Sequence, residues 1–336
     1  MRHALLASTV LALLLGGSVS QAETPASGIE VKEIWKEGKH NAFTDLIHHQ
    51  GKWFCVFREG AGHVSPDGAL RVLTSNDGET WTSAALVTMP ETDLRDAKIS
   101  VTPEGKLMLC GAGVTQPPKE KTHQTYIWLS DDGHTWSAPH PVGDLNYWLW
   151  RITWHDGEGY GIGYNTKGDG KEWKTRLYHT QDGKTFETLV PELEVKKFPN
   201  EASIAFQPDG TALCVLRRDN RGGETDALLG TAKAPYKEWT WKNTGVQIGG
   251  PQLLRLNDGT WIVSGRGYPG GAKTKIWKLD PATAQLTELM TLPSGGDTSY
   301  PGLVQKGDTL WVSYYSSHEK QTRIYLAKIP IKTLLK

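Results

Sequence analysis

Three arginines in this 336-residue chain stand at the same distance from a glycine. The spacing is seven residues in each case, and the pairs are Gly51–Arg58, Gly210–Arg217 and Gly259–Arg266. If the glycines mark equivalent turns, the three guanidinium groups lie at equivalent heights in the fold and converge. Converging guanidiniums can grip a carboxylate or a sulfate bidentately. The alternative is that each arginine pairs with a neighbouring acid, for example Arg58 with Asp45 and Arg217 with Glu201.

The glycines belong to a repeat with a period of about 50 residues, which is in the range of propeller blades. Each repeat contains an apolar segment, a turn at a glycine and a second apolar segment, as in "FTDLIHHQGKWFCVFRE" and "SYPGLVQKGDTLWVSYY". The turn glycines are Gly51, Gly105, Gly157, Gly210, Gly259 and Gly307. Each segment predicts a β-hairpin, and six hairpins predict an all-β, six-bladed β-propeller of four-stranded antiparallel blades.

The two ends of the chain are expected to close this ring. Segments 29–35 and 322–331 both alternate like strands, and the first is expected to complete the last blade so that no sheet edge stays open. Residues 23–336 are therefore predicted to form a single domain.

The hairpin geometry gathers further polar residues at one rim of the central axis. The second strand of each hairpin ends beside the start of the first, so the three arginines share a face with Asp45, Asp96, Arg151, Glu201 and Tyr300. Arg95 and Trp150, which neighbour Asp96 and Arg151, join the substrate-binding candidates. Trp148 and Trp150 fall on one side of a strand and form either a sugar platform or a layer buried between blades.

A second repeated phrase recurs as "TSNDGETW", "LSDDGHTW" and "HTQDGKTF". It falls where the third strand of blades 1, 2 and 3 should turn into the fourth. Asp77, Asp132 and Asp182 are expected to accept hydrogen bonds from their own turns, and the aromatic residue that ends each phrase to pack between blades. A calcium loop is the alternative, but its ligand series and distal glutamate are missing.

The remaining composition narrows the class of protein. A basic start, a short apolar run and small residues before Ala22 are typical of a secretory signal peptide at 1–22, which is too short to span a membrane. The 37 Lys and Arg residues balance 37 Asp and Glu residues, which argues against nucleic-acid binding. Three cysteines lie in apolar runs without metal-ligand spacing, so neither a disulfide framework nor a metal or cofactor is expected.

Asp-box turns in a secreted six-bladed propeller resemble the sialidase (neuraminidase) superfamily. The resemblance covers residues from about 29 to 331. "NEASIAFQPDGTALCVLRR" is similar to the segment with the family's catalytic glutamate, and "SYPGLVQKGDTLWVSYY" to the segment with its nucleophilic tyrosine. These matches place the glutamate at Glu201 and the tyrosine at Tyr300.

The resemblance implies a retaining mechanism in which Tyr300 attacks the anomeric carbon and Glu201 withdraws the phenol's proton. Phenol has a pKa of about 10, so an adjacent carboxylate must activate it. Sialidases are known exceptions to the two-carboxylate scheme of glycosidases. A neutral phenol also avoids the repulsion that a carboxylate nucleophile would meet from an acidic sugar.

The chain lacks two arginines of the family, and the position of its general acid stays open. The arginine that enters blade 1 in sialidases is missing from "NAFTDL", and the blade-5 arginine is missing from "GGAKTKIWKL", so the usual three-arginine clamp is incomplete. The general acid is expected at Asp67 in "HVSPDGAL", although "SPDG" is also a standard turn sequence. Asp96 and His63 are its rivals.

We therefore expect an exported, monomeric exo-glycosidase that releases a terminal acidic sugar in the periplasm or outside the cell. The proposed substrate is a glycan or glycoconjugate. Two alternatives remain open at this stage: a non-catalytic glycan-binding propeller, and a lyase or hydrolase that acts on another anionic sugar such as a uronate.

Overall fold

The computed structural model describes residues 28–115, 122–167, 173–219 and 223–336. The predicted signal peptide at 1–22 lies outside these residues. Within them, six antiparallel sheets account for nearly all regular structure, which confirms the six-bladed β-propeller. One short helix, α1 (Ile331–Leu334), follows the last strand. None of the described helices has the length and apolar character to cross a membrane.

The strand β1 (Glu30–Trp35) precedes the first three blades. Blade 1 contains β2 (His40–His49), β3 (Lys52–Gly60), β4 (Ala69–Ser75) and β5 (Thr82–Val87). Blade 2 contains β6 (Thr92–Val101), β7 (Leu107–Thr115), β8 (His123–Ser130) and β9 (His140–Val142). Blade 3 contains β10 (Tyr147–Leu149), β11 (Thr153–His155), β12 (Glu158–Asn165), β13 (Thr175–Thr180) and β14 (Glu187–Val190). Because β10 and β11 both pair with β12, they form one inner strand that is interrupted at residues 150–152.

The other three blades repeat the pattern. Blade 4 contains β15 (Pro199–Phe206), β16 (Ala212–Arg218), β17 (Leu228–Ala232) and β18 (Thr240–Asn243). Blade 5 contains β19 (Gly249–Arg255), β20 (Trp261–Gly267), β21 (Lys273–Leu279) and β22 (Leu286–Thr291). Blade 6 contains β23 (Thr298–Lys306), β24 (Thr309–Ser316) and β25 (Arg323–Pro330). Its fourth strand is β1, which pairs antiparallel with β25, so the predicted closure of the ring is confirmed.

The repeated glycines have the backbone geometry that the turns require. All six turn glycines have positive φ, between 57° at Gly307 and 93° at Gly259, a region that only glycine enters without strain. Each lies in the hairpin between the first two strands of its blade, as the repeat predicted.

The three aspartate turns are stabilised by hydrogen bonds between the aspartate side chain and the backbone of the same turn. The Asp77 carboxylate accepts hydrogen bonds from the backbone of Glu79 and Thr80 at 2.7 and 2.8 Å, and Asp132 and Asp182 accept the equivalent bonds. Trp136 packs in a cluster shared by blades 1 and 2, and the other two phrase-ending aromatics also pack against core clusters. The three cysteines are free and buried, as expected of small hydrophobic residues.

Candidate functional site

The inner strands of five blades each carry a β-bulge near the same end. At each bulge the register shifts by one extra residue, which re-aims the side chain there. The first residues of the five bulges are Phe43, Asp96, Asn200, Gly250 and Tyr300. All except Asn200 have positive φ, between 50° and 63°.

These bulges build one pocket at the rim of the axis, with a volume of about 230 Å³. Four of the five bulge residues line it, and Gly250 lies beneath, against Tyr300. The wall is completed by Glu201 and Arg217 from blade 4 and by Arg95 from blade 2. Residues from different blades therefore meet because equivalent bulges turn their side chains toward a common centre.

Tyr300 and Glu201 form the closest polar contact in this pocket. The Tyr300 hydroxyl donates a hydrogen bond of 2.6 Å to Oε1 of Glu201. Arg217 donates from Nη1 to both partners, at 2.8 Å to the Tyr300 oxygen and 2.7 Å to Glu201 Oε2. Asp219 accepts from the same guanidinium through Nε at 3.0 Å. The phenol, its carboxylate neighbour and a bridging cation thus lie in direct contact.

Gly250 supports this contact from below. Its backbone N–H donates to Oε2 of Glu201 at 2.9 Å. A Cβ atom at this position would lie 2.5 Å from Cγ of Tyr300, and the φ of 58° is itself unfavourable for other residues. The "GGP" sequence at 249–251 therefore allows the Tyr300 ring to lie flat against the backbone of blade 5.

The pair has opposite pKa shifts. Burial raises the pKa of Tyr300 well above its ordinary value of 10, and the Glu201 charge adds to that rise. Burial also favours the neutral form of Glu201, but Arg217 and the hydrogen bond from Tyr300 outweigh it, so the pKa of Glu201 lies below its usual value. At neutral pH the tyrosine is therefore a phenol and the glutamate is a carboxylate ready to accept its proton.

Asp96 is a second carboxyl group in the pocket, with the opposite tendency to Glu201. Desolvation raises its pKa to about 6, against the pull of Lys98, while the charge of Glu201 adds to the rise. Its Oδ2 accepts a hydrogen bond of 3.3 Å from the Trp150 indole. Two carboxyl groups whose environments separate their pKa values in this way suit an acid and a base.

Lys98 was missed by the sequence analysis. It is 2 % exposed, and its ammonium group donates to the carbonyl oxygens of Thr44 and Ala97. The same nitrogen lies 4.9 Å from the Trp150 ring centre and 5.9 Å from that of Tyr300. Burial lowers the pKa of Lys98 to about 8, so a buried cation remains beneath the tyrosine at neutral pH. The alternating apolar pattern of "AKISV" gave no sign that this lysine points inward.

The expected three-arginine clamp is corrected by strand register. In blade 4 the second strand holds one more residue between the turn glycine and the position opposite the bulge, so the equivalent arginine is Arg218, eight residues beyond Gly210. The cross-strand pairs at this height are Ala42–Arg58, Pro199–Arg218 and Gly249–Arg266. Arg217 therefore extends from the other side of β16, because neighbouring strand residues face opposite ways. Of the three predicted arginines, only Arg217 lines the pocket.

Arg58 and Arg266 instead connect neighbouring blades. Arg58 is fully buried and holds Asp93 of blade 2 at 2.8 Å, together with oxygens of the loop at Gly62 and Ser65. Arg266 holds Asp297 of blade 6 at 3.1 Å and lies 5.3 Å from the Tyr300 ring centre. Arg58 is therefore buried behind these partners and does not line the pocket, so its predicted role as a grip is corrected. The alternative, pairing with a neighbouring blade's acid, is the observed arrangement.

Three more predicted residues, Arg95, Arg151 and Asp45, are held in ion pairs. Arg95 lines the pocket but is paired with Asp93 at 2.6 Å. Arg151 binds Asp45 through Nη1 at 3.2 Å, and both line a separate cavity of about 530 Å³ formed by the inner strands of all six blades. Arg151 is therefore corrected from a substrate grip to a residue of this central channel, and Asp45 takes Arg151 as partner where Arg58 was expected.

Trp150 is corrected as well. It is 1 % exposed, and its ring lies 6.1 Å from that of Tyr300 in an edge-on arrangement, so it supports the tyrosine from inside. The aromatic wall that faces the pocket consists of Trp148 and Tyr164, stacked at 5.9 Å and 12°, with Trp173 beside them. Of the two residues predicted to form a platform, Trp148 lines the pocket and Trp150 does not.

Asp67 lies on the exposed loop between β3 and β4 and does not line the pocket. Its Oδ1 accepts a hydrogen bond of 3.1 Å from the Ala61 backbone. Hydrogen bonds from Ser65 and from Ala61 lower its pKa, which is the wrong direction for a general acid. The predicted place of Asp67 at the site is therefore corrected: it occupies a turn, as the alternative interpretation had it, while its rival Asp96 lines the pocket. The third candidate, His63, does reach the pocket wall.

Comparisons with known proteins were made at the levels of family, sequence and structure. No protein-family model matches the chain, and the search of curated proteins found no match either. The structural search did find matches. A Dyadobacter fermentans protein of unknown function has a TM-score of 0.80 at 21 % identity, covering 91 % of this chain and 100 % of its own.

Two further solved structures carry an activity in their descriptions. A Penicillium chrysogenum α-L-arabinanase complexed with arabinobiose has a TM-score of 0.66 at 16 % identity, covering 87 % of this chain and 94 % of its own. A Trypanosoma rangeli sialidase in complex with the inhibitor DANA has a TM-score of 0.71 at 12 % identity, covering 92 % of this chain. The present chain spans only 61 % of that sialidase. At these identities the likeness establishes the fold, which this chain shares with an arabinanase and a sialidase.

Proposed function

We propose that this protein is a retaining exo-glycosidase that uses Tyr300 as its nucleophile. The observation that carries the proposal is the 2.6 Å hydrogen bond from the Tyr300 phenol to the Glu201 carboxylate in the rim pocket. The shared fold of an arabinanase and a sialidase supports a glycosidase in general. The sialidase resemblance of the segments around Glu201 and Tyr300 supports the tyrosine mechanism in particular.

In the first step the Tyr300 oxygen bonds to the anomeric carbon while the bond from that carbon to the leaving oxygen breaks. The phenol proton passes to Glu201 along their hydrogen bond. The developing negative charge on Tyr300 is favoured by Arg217 at 2.8 Å and by Arg266 near its ring. These cations matter because the pKa of the resting phenol is raised, so it cannot ionise before the attack.

Asp96 is proposed as the acid that protonates the leaving oxygen. Its pKa of about 6 keeps part of the population protonated near neutrality, as a general acid requires. Once the leaving group has departed, a water attacks the anomeric carbon and gives a proton to the Asp96 carboxylate. The bond from that carbon to Tyr300 breaks, and Glu201 returns its proton to the phenol oxygen. This assignment replaces Asp67 because Asp96 lines the pocket and Asp67 does not.

The substrate has two candidate classes. An acidic sugar is supported by the neutral nucleophile and by Arg217, whose side chain is 15 % exposed at the pocket. A neutral sugar is favoured by the charges of the lining residues, since Asp96, Glu201 and Asp219 stand against only Arg95 and Arg217. Both guanidiniums are already paired with carboxylates, so an acidic substrate would have to compete for them.

We further propose that the chain is exported and acts as a monomer in the periplasm or outside the cell. The signal peptide predicted at 1–22 supports export. The closed ring of blades supports a monomer, because β1 pairs with β25, which would otherwise offer an open strand edge to a second copy.

The test is hydrolysis of a panel of fluorogenic sialosides, uronides and neutral pentosides and hexosides. Wild type should turn over one class, and Tyr300→Phe should lose that activity while it still binds the sugar. Tyr314→Phe is the matched control: it removes a hydroxyl from an equally buried tyrosine of β24 that bonds only to the Pro293 carbonyl, and activity should persist.

The same panel separates the alternatives. Binding without turnover in wild type would favour a glycan-binding module, and a product with ultraviolet absorption from a new double bond would favour a lyase. Full activity in Tyr300→Phe would refute the tyrosine mechanism whatever the substrate.

A further inference from the structure

Beside the pocket, two histidines and an aspartate from different parts of the chain converge. His40 begins β2, His63 lies on the loop between β3 and β4, and Asp297 immediately precedes β23. One ligand atom of each lies within 4.8 Å of the other two. The sequence gave no sign of this group because the residues are separated by up to 257 positions.

The three ligand atoms face one another. Oδ2 of Asp297 lies 3.2 Å from Nε2 of His40 and 2.7 Å from Nδ1 of His63. In a tetrahedral zinc site with bonds of about 2.0–2.1 Å, neighbouring ligand atoms lie about 3.3 Å apart. The observed separations of 3.2 and 2.7 Å lie below that value, and the His63 side chain is 53 % exposed, so its loop can move outward to admit an ion.

The second oxygen of Asp297 is held from the opposite side. Oδ1 accepts hydrogen bonds from Arg266 at 3.1 Å and from the Tyr315 hydroxyl at 2.8 Å. Such outer contacts orient a ligating carboxylate and leave its other oxygen free for a metal. The ring of His63 is also positioned, 5.1 Å edge-on from that of Phe43.

We propose that His40, His63 and Asp297 form a binding site for a divalent transition metal such as Zn²⁺. Two imidazoles and one carboxylate are a ligand set that suits these ions and leaves a coordination position open. The bound metal would tie the loop that carries His63 to blades 1 and 6 at the edge of the pocket. This inference does not depend on the proposed glycosidase activity.

The structure also sets the expected strength of binding. Coordination through Nε2 places the proton of His40 on Nδ1, which is buried without a hydrogen-bond partner. Missing outer-shell partners weaken metal affinity about 10- to 100-fold. We therefore expect this site to bind metal about 10- to 100-fold more weakly than a site whose histidines all have outer-shell partners.

The experiment is titration of untagged, chelator-treated full-length protein with Zn²⁺ by calorimetry and with Co²⁺ by visible absorption. Wild type should bind one equivalent, and Co²⁺ should show the intense bands of a low-coordinate site. His63→Gln should bind at least about tenfold more weakly. His140→Gln, which removes an exposed histidine from β9, is the matched control and should bind as wild type does.

Because His63 is largely exposed, its variant is expected to fold, and thermal unfolding of both variants without metal checks this. Two results would overturn the proposal: no binding by wild type up to millimolar metal, or undiminished binding by His63→Gln. Loss of binding in both variants alike would also overturn it.

Discussion

Replacing Asp96 by asparagine tests the site most sharply, because the change separates the acid from every other group in the pocket. Asparagine has nearly the same shape, and its carbonyl oxygen can still accept the Trp150 indole hydrogen bond. It cannot supply a proton. The folded pocket should therefore survive while proton donation to the leaving oxygen is lost.

The magnitude follows from the pKa of about 6 that burial gives Asp96. A group with this pKa is protonated in about nine tenths of molecules at pH 5 and about one tenth at pH 7. For a substrate that needs the acid, kcat/KM should fall about tenfold between pH 5 and pH 7. Asp96→Asn should lose this fall in rate toward alkaline pH, the alkaline limb of the pH profile. Its rate should also be lower by about 10²- to 10⁴-fold, the usual contribution of a general acid.

The assay compares two leaving groups on whichever sugar the panel identifies. An alkyl glycoside needs protonation of its leaving oxygen, so its rate should collapse in Asp96→Asn. An activated aryl glycoside departs without such help, so its rate should fall much less. Asp67→Asn is the matched control on the exposed loop, and both substrates should behave as with wild type.

Stability gives a second readout of the same group. The folded pKa is raised from 3.8 to about 6, so the carboxyl favours folding when it is neutral. That contribution is complete below pH 3.8 and is lost as pH rises through 6, and the ionised group then opposes folding by about 3 kcal/mol. Asp96→Asn never ionises, so by urea unfolding it should be more stable than wild type at pH 7.5 and equally stable near pH 4.

Several outcomes would refute the reasoning. If Asp96→Asn kept the alkaline limb, or slowed both leaving groups equally, Asp96 would not be the acid. A collapse in Asp67→Asn instead would restore the loop aspartate to that role. A variant less stable than wild type at pH 7.5 would contradict the assignment of a buried, destabilised carboxylate.

Three other substitutions test the supports of the pocket. Gly250→Ala should lower kcat severely because its Cβ would lie 2.5 Å from the Tyr300 ring, whereas Gly270→Ala, with a similar positive φ and open space, should carry only the backbone strain of about 1–3 kcal/mol. Arg58→Met should reduce the free energy of unfolding by about 3 kcal/mol in urea titrations because it removes a partner of the buried Asp93. A loss below about 1 kcal/mol would contradict a structural role for the Arg58–Asp93 ion pair. Trp148→Ala should raise KM severalfold with kcat little changed if the indole is a sugar platform, and an unaltered KM would remove it from the binding surface.

The propeller was predictable because its signals are local and repeated. A glycine with positive φ and two alternating apolar strands define each hairpin within some twenty residues, and six copies are enough to indicate a ring. The aspartate turns are equally local, since Asp77 bonds the backbone of the residues just after it. Even closure by β1 follows from two alternating segments and the instability of an open edge.

The pocket required tertiary structure because its contacts connect blades, and one residue decides which side chains take part. The second strand of blade 4 holds one more residue between the turn glycine and the position opposite the bulge than those of blades 1 and 5. An equal count along the sequence therefore reaches Arg217 in place of Arg218. In a strand that single step reverses the direction of the side chain. The alternation of apolar residues does not predict the bulges at Asp96 and Tyr300. It also does not predict which residue of another blade pairs with each buried charge.

The amino-acid sequence by itself thus determined the number of blades, their turns and two members of the site, Glu201 and Tyr300. The folded ring alone decided that Arg58 pairs with Asp93, that Arg151 faces the channel and that the carboxyl group of Asp96 is desolvated in the pocket. The physical reason is distance along the chain. Hairpin geometry is settled among neighbouring residues, whereas burial and ion pairing depend on which groups from remote repeats arrive at the same place.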